Sequence, residues 1–147
     1  MRLQPLVDAL KAQVLGCAVV HADETPVAML APGTGKTHRA YLWAYASGAF
    51  EALRAVVDDF TDSRAGEHAR AFLGEWRSSL VCDDFSGYKA GFALGMTEVG
   101  RMAHARRKFL ELHLTQKSTI AATAVALIGQ LYGIARGQGD GTRGAPA

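Results

Sequence analysis

The chain has 147 residues, 49% of them apolar and 20% charged, and its formal net charge is +2. This length suits one domain with its own core and is short for two, and the composition is that of an ordinary soluble globular protein. A mildly basic charge tolerates a nucleic-acid partner but does not require one. Neither a signal peptide nor a run of about 18 apolar residues is seen, which predicts a cytoplasmic protein with no membrane partner. Cys17 and Cys82 lack zinc-ligand spacing; buried thiols are favoured, and one disulfide stays open.

The first half of the chain predicts one helix and three strands. Apolar residues recur at helical spacing over residues 3–14, which indicates a short amphipathic helix. Residues 17–30 are rich in β-branched side chains and contain Pro26, which favours an extended strand. Residues 37–47 alternate aromatic with small side chains, as a second strand does, and the loop rich in Gly and Pro between the two predicts a β-hairpin. A third strand is expected over residues 54–60.

The middle of the chain then alternates helices with short strands. Ser63 is placed to cap a helix over residues 63–76. A fourth strand is predicted at residues 80–82 and a fifth at 96–100, with a turn and one helical turn between them.

Two helices and a tail complete the chain. The first is predicted over residues 101–114. The second is predicted from a set of apolar residues at helical spacing: Ile120, Ala124, Leu127, Leu131 and Ile134. Residues 136–147 have no apolar periodicity and are expected to be a disordered tail.

This order of elements predicts an α/β fold, a mixed five-stranded sheet flanked by helices. Three strands joined by hairpins, followed by strands that alternate with helices, is the order found in ribonuclease-H-like domains. We expect one such domain over residues 1–135.

The segment APGTGKT at residues 31–37 resembles the phosphate loop of an ATPase. That motif needs a glycine six residues before its lysine and a helix after it, whose N-terminus receives the phosphates. Leu30 stands at the glycine position, and the segment that follows is predicted to be a strand. The loop is therefore interpreted as a hairpin turn, and a nucleotide-binding protein is the less favoured alternative.

Two carboxylates indicate a different kind of site. Asp23 lies within the first predicted strand, where an ionised side chain is costly unless it has a partner. Asp83 follows the fourth strand directly. If these two strands pair, the carboxylates meet at one edge of the sheet, where they repel unless a divalent cation lies between them. Oxygen ligands of this kind suit Mg²⁺ or Mn²⁺, and a two-metal arrangement cleaves phosphodiester bonds.

Several consecutive segments resemble one protein family, the insertion-sequence 66 transposases, which belong to the acidic-triad (DDE) superfamily with a ribonuclease-H-like core. The segments are HADETPV at 21–27, YLWAY at 41–45, SRAGEHARAFLGEW at 63–76, VCDDFSGY at 81–88 and TEVGRMAHARRKF at 97–109. Linked blocks in the right order are more specific than any one of them.

The resemblance implies roles for the acidic residues. Asp23 matches the first catalytic acid and Asp83 the second, both as ligands of Mg²⁺ or Mn²⁺. Asp84 stands where the family usually has glycine. Glu24 is expected to point to the opposite face of the strand and not to be a ligand.

The third acid of the triad has no clear equivalent. Ala135 stands where the family tends to have glutamate. Glu111 is interpreted as a solvated residue on its helix, and Asp140, in the predicted tail, is a poor ligand candidate.

The resemblance also implies DNA contacts. His104, Arg106, Arg107 and Lys108 match the HARRKF block and are expected to bind DNA, with the basic side chains on phosphates. On residue types alone, a solvated face for the basic run and a structural hydrogen bond for His104 are equally plausible.

The sequence therefore predicts the catalytic domain of a DNA transposase, a fragment of a longer protein with an incomplete triad. Its partners would be the ends of an insertion element, target DNA, and another copy of itself or an intact transposase. The alternative is a catalytically inactive remnant that still binds DNA or a transposase.

Overall fold

The computed structural model describes residues 3–140, with side chains to residue 136. The chain divides into two compact units, Met1–Gly100 and Arg101–Ala147. Cys17 and Cys82 form no disulfide and both are buried, as expected.

The first unit contains the sheet and the first three α-helices. Its elements are α1 (Gln4–Leu15), β1 (Val19–Ala31), β2 (Lys36–Ser47), β3 (Val56–Thr61), α2 (Gly66–Leu73), β4 (Ser79–Cys82), a 3₁₀ turn (Ser86–Tyr88), α3 (Lys89–Ala93) and β5 (Thr97–Gly100). All five strands lie close to the predicted positions. The predicted fold class, a mixed five-stranded sheet with flanking helices in a ribonuclease-H-like order, is confirmed.

The sheet has the strand order β3-β2-β1-β4-β5, with β1 at its centre. The pairs β1–β2 and β2–β3 are antiparallel, as their hairpin links dictate. The pairs β1–β4 and β4–β5 are parallel, because a helical crossover returns the chain to the same end of the sheet each time. The parallel register places His21 beside Val81.

One face of the sheet forms the core. Trp43 and Tyr45 of β2 are fully buried there. The ring of Tyr45 stacks on Phe72 of α2 with 3.7 Å between centroids, and the indole N–H of Trp43 donates a 2.8 Å hydrogen bond to Thr61 Oγ1. Lys11 of α1 lies over the Phe72 ring, 4.4 Å from its centroid. Aromatic packing therefore joins α1, α2 and the sheet.

The opposite face of the sheet is more open. Side chains alternate between the two faces along a strand, and on this face Val56 and Phe60 of β3 are 56% and 52% exposed. Asp23 of β1 is also exposed, whereas its neighbour Ala22 is buried. Asp23 and Glu24 therefore start from different faces of the sheet.

The APGTGKT segment is a hairpin turn, as predicted. Ala31 pairs with Lys36 across it, and β2 begins at Lys36, so no helix N-terminus follows the loop. Gly33 and Gly35 have φ of 81° and 64°, a conformation that glycine adopts without steric cost.

The helix α2 starts later than predicted. It begins at Gly66 after Ala65, and no side chain caps it. The predicted cap, Ser63, instead forms a 2.8 Å hydrogen bond with Nε2 of His68. Ala65 has an extended backbone, and the side chain of the residue before it, Arg64, contacts Glu24 of β1.

The second unit is a pair of helices, α4 (Met102–Gln116) and α5 (Thr119–Asp140). Lys117 ends α4 in the left-handed conformation, with φ of 49°. Ala121 and Ile128 of α5 are buried, but most of the apolar residues on which this helix was predicted are exposed: Ile120, Leu127, Leu131 and Ile134. The helix also runs into the predicted tail as far as Asp140, and the rest of that tail lies outside the described residues.

Helix α5 is long and apolar enough over residues 119–136 to cross a membrane, judged by length and composition alone. The expectation that no segment reaches this threshold is therefore wrong. The core helix of a soluble protein meets the same criteria, and cytoplasmic localisation stays a prediction.

The aromatic core yields a stability prediction. Replacing Phe72 by alanine removes the stack on Tyr45 and leaves a cavity between α2 and the sheet, and we expect a loss of about 3–5 kcal/mol in the free energy of unfolding. Phe50→Ala is the matched control, because Phe50 is fully exposed and its loss should change stability by less than about 0.5 kcal/mol. Urea denaturation followed by tryptophan fluorescence measures both. Equal losses in the two variants would contradict the placement of Phe72 in the core.

Candidate active site

Three carboxylates meet where β1 passes the end of β4. One oxygen from each of Asp23, Glu24 and Asp83 lies within 4.8 Å of the others. Asp23 and Glu24 are consecutive in β1, and Asp83 follows Cys82, the last residue of β4. The parallel pairing of the two strands, with His21 beside Val81, carries Asp23 and Asp83 to the same edge. The structure thus brings the two predicted acids together.

Glu24 also belongs to this group, although its side chain starts from the opposite face of the strand, as expected; that it is not a ligand stays a prediction. Its side chain starts from the covered face of the sheet and is only 1% exposed. Strand alternation separates the Cβ atoms of Asp23 and Glu24, but the longer glutamate side chain returns its carboxylate to the strand edge. The acidic group therefore has an exposed member, Asp23, and a buried member, Glu24.

Arg64 is the cation that Glu24 contacts. Its Nε donates a 3.0 Å hydrogen bond to Oε1 of Glu24, and its Nη2 donates to the same oxygen. The hydroxyl of Tyr88 lies 3.5 Å from the other oxygen, Oε2. Burial raises the pKa of the Glu24 carboxyl; the Arg64 hydrogen bond opposes this rise, and the charges of Asp83 and Asp23 add to it.

Arg64 is held in place by the loop that follows β4. Its guanidinium lies over the ring of Phe85, 4.2 Å from the centroid, and Phe85 packs on Trp43 and Tyr88. This arrangement requires the start of α2 to approach the 3₁₀ turn closely. A Cβ on Gly66 would lie 2.6 Å from the Cα of Gly87, so a side chain at that position would force the two segments apart.

Asp83 has an oxygen with no hydrogen-bond partner among the described residues. Its Oδ1 is buried within the protein, and a buried unpaired acceptor is costly unless a cation or another donor completes it. The backbone turns sharply after it, since the N–H of Phe85 donates a 2.8 Å hydrogen bond to the Asp83 carbonyl.

Asp84 occupies the middle of this turn without strain. Among the described residues other than glycine, Lys117 alone has a positive φ, so Asp84 does not. Aspartate in place of the expected glycine therefore adds an exposed charge but requires no glycine-specific backbone.

The predicted DNA-binding residues lie in the second unit. Arg106, Arg107 and Lys108 are exposed on α4, and His104 on the same helix is half-buried. They share one helix, as predicted, while their contact with DNA stays a prediction.

The position expected for the third acid lies on α5. Ala135 lines a pocket of about 470 Å³, together with Arg106 of α4 and with Gly129, Tyr132 and Arg136 of α5. The side chains of α5 described by the structure include no carboxylate. Glu111 is exposed on α4, as expected, and the side chain of Asp140 lies outside the described residues.

Residues 1–142 match the model of one protein family, Transposase IS66 family. The chain is 34% identical over 144 residues to Uncharacterized protein y4qI of Sinorhizobium fredii, a match that covers 88% of this chain and 26% of that protein. It is 30% identical over 145 residues to Uncharacterized protein y4jD of the same organism, covering 91% and 28% respectively. The chain thus spans about a quarter of the length of these curated relatives. No solved structure matches the chain.

The raised pKa of Glu24 predicts a dependence of stability on pH. Since folding raises the pKa of Glu24, the folded state favours the protonated carboxyl. The contribution of Glu24 to the free energy of unfolding is therefore fully present below its pKa in the unfolded chain, and it is lost as pH rises through its pKa in the folded chain. The stability of the wild type relative to Glu24→Gln should therefore fall as pH rises from about 4 towards 7. Urea unfolding at successive pH values measures the difference.

Glu67→Gln is the control for this measurement, because Glu67 is exposed on α2. Its difference from the wild type should stay flat over the same range. A stability difference between wild type and Glu24→Gln that grew with pH would mean that attraction to Arg64 outweighs the cost of burying the charge.

Proposed function

Because the chain belongs to the IS66 family of transposases, we propose that it is part of a catalytic domain that cleaves and transfers DNA strands. The substrates are the ends of an insertion element and the DNA into which the element moves. The observation that supports this most directly is the group of Asp23, Glu24 and Asp83 at the junction of β1 and β4. We place this activity in the cytoplasm, with a second copy or an intact transposase as the protein partner.

The acidic group fits a hard divalent cation. Its donors are carboxylate oxygens, which Mg²⁺ and Mn²⁺ prefer, and the buried Oδ1 of Asp83 accepts no hydrogen bond from the described residues. Asp23 and Asp83 are the proposed ligands. When bound, the metal would lower the pKa of a water or hydroxyl nucleophile and stabilise the leaving oxygen of the phosphodiester.

The residues around the ligands have distinct tasks in this proposal. Glu24, neutralised in part by Arg64, keeps the two aspartates oriented and limits the total negative charge of the group. Exposed Asp23 faces the side from which a DNA strand can enter. On α4, Arg106, Arg107 and Lys108 bind phosphates and His104 supports the same contact, which positions the duplex without reading its sequence.

A second candidate function follows from Ala135. Alanine stands at the position where the family tends to have the third acid, glutamate. A chain with this pair of aspartates and no third acid would bind metal and DNA without cutting. The ATPase alternative has no such support, because β2 follows the APGTGKT loop.

Metal binding by the two aspartates is the first test. Mn²⁺ titration followed by electron paramagnetic resonance should give one or more specific sites in the wild type, and Asp23→Asn or Asp83→Asn should weaken binding by at least about tenfold, as expected when an ionised ligand is removed. Asp84→Asn is the matched control, since Asp84 is exposed and outside the group. Equal binding by all four proteins would refute the proposed ligands.

DNA nicking separates the two candidate functions. The wild-type chain is incubated with Mg²⁺ or Mn²⁺ and a duplex that carries an end of the insertion element. Strand cleavage that disappears in Asp23→Asn and persists in Asp84→Asn supports the catalytic function. Metal binding without any cleavage supports the inactive DNA-binding form and excludes catalysis by this chain alone.

A further inference from the structure

The outer part of the β1–β2 hairpin projects beyond the sheet. The two strands pair continuously from Val20 with Ser47 to Ala31 with Lys36. In contrast, β4 pairs with β1 only at residues 19–21, and β3 pairs with β2 only at residues 41–46. Residues 28–39, which we name the β-ribbon, therefore have no neighbouring strand on either side within the described chain.

The β-ribbon is exposed and carries only basic charge. Lys36, His38 and Arg39 are exposed, and residues 25–40 contain no carboxylate. Neither Lys36 nor Arg39 forms an ion pair with a described carboxylate. Leu30, on the partner strand, is 76% exposed. A two-stranded ribbon with this composition buries little apolar surface of its own, and such ribbons are marginal in isolation.

The turn of the β-ribbon is nevertheless well defined. The hydroxyl of Thr34 donates a 2.8 Å hydrogen bond to the carbonyl of Ala31 and accepts one of 3.3 Å from the N–H of Lys36. Gly33 and Gly35 supply the positive φ that the turn needs, and a Cβ on either would meet nothing within 4 Å. These glycines thus serve the backbone conformation, which fixes Lys36 at the tip.

The dimensions of the β-ribbon match a groove of DNA. Its two strands lie about 4.8 Å apart, and its four cross-strand pairs, three steps of roughly 3.4 Å, extend about 10 Å along them. The major groove of B-DNA is about 12 Å wide and admits a two-stranded ribbon. The ribbon continues β1, and Ala28 lies about 17 Å along that strand from Asp23. One duplex can therefore reach both the ribbon and the acidic group.

We propose that the β-ribbon is a DNA-binding arm, in which Lys36, His38 and Arg39 contact phosphates beside a groove of the duplex. The inference rests on the proposed function in one respect, that DNA is the substrate. In this proposal the APGTGKT segment binds the backbone phosphates of DNA through a pair of strands. It does not bind the phosphates of a nucleotide at the N-terminus of a helix, as an ATPase phosphate loop does.

Equilibrium DNA binding tests the arm without reference to catalysis. Fluorescence anisotropy with a labelled duplex is measured in EDTA over a series of salt concentrations, so that neither metal nor nicking contributes. Each phosphate contact adds about 0.9 to the slope of log K against log salt. The variant Lys36→Gln/His38→Gln/Arg39→Gln should lower this slope by about two, at about 0.9 for each of the two permanent cations Lys36 and Arg39, and weaken binding at least about tenfold, and Lys36→Gln alone should lower it by about one.

The matched control removes two positive charges elsewhere in the first unit. Arg70 of α2 and Lys89 of α3 are exposed, and the variant Arg70→Gln/Lys89→Gln should keep the wild-type slope within about 0.5. Circular dichroism and urea unfolding establish that each variant keeps its fold. If the triple variant does not fold, the salt dependence of DNA binding by the single variant Lys36→Gln is used in its place.

The outcomes separate the arm from the proposed function. Wild-type binding that the ribbon variants leave unchanged would overturn the arm and leave the transposase function standing. An equal loss in the control would overturn it too, since net charge would then explain the effect. No binding of DNA by the wild type, or binding to anionic phosphatidylserine vesicles in preference to DNA, would overturn both the arm and DNA as the substrate. Failure of the nicking assay alone would leave the arm supported.

Discussion

The parallel pairing of β1 with β4 is the contact on which the candidate site depends. Only a few residues of β1 take part in it, residues 19–21 beside residues 79–81. Because the pairing is parallel, both strands continue in the same direction past these residues, and Asp23 and Asp83 meet just beyond the last pair. A slip by one residue would send one of the two aspartates to the other face of the sheet. The buried side chains of Val20, Leu80 and Cys82 on the core face oppose such a slip.

Like charges that are brought together in this way must be compensated. Burying an unpaired carboxylate costs several kcal/mol, and the repulsion of two neighbouring carboxylates adds to that cost. Within the described chain the compensation is partial. Arg64 pairs with Glu24, while Oδ1 of Asp83 is left without a partner. The group therefore retains an electrostatic preference for a cation, which the Arg64 guanidinium, held over the Phe85 ring, reduces without removing.

Much of this fold could be read from the sequence, and the parts that could not share a physical reason. Strand positions followed from local patterns, such as the aromatic alternation of residues 37–47, and the order of elements then determined which strands pair. The approach of the Glu24 carboxylate to the two aspartates was not predicted, because strand alternation describes where a Cβ points and not where a flexible side chain ends. Arg64 was missed because its partner lies forty residues away along the chain. The apolar face of α5 shows the same limit, since periodicity indicates a helix but not which neighbour covers it.

The contact between Gly66 and Gly87 makes the charge state of the site depend on two residues that have no functional group. A methyl group on Gly66 would force the start of α2 away from the 3₁₀ turn, and one on Gly87 would displace the Phe85 ring, so either change would disturb the support of Arg64 on Phe85. Glu24 would then bind a proton more readily, although no ionisable residue had changed. Substitution of these glycines can therefore change the charge of the acidic group while every aspartate and glutamate is retained. Intact acidic residues in a relative are thus insufficient grounds for inferring an intact site.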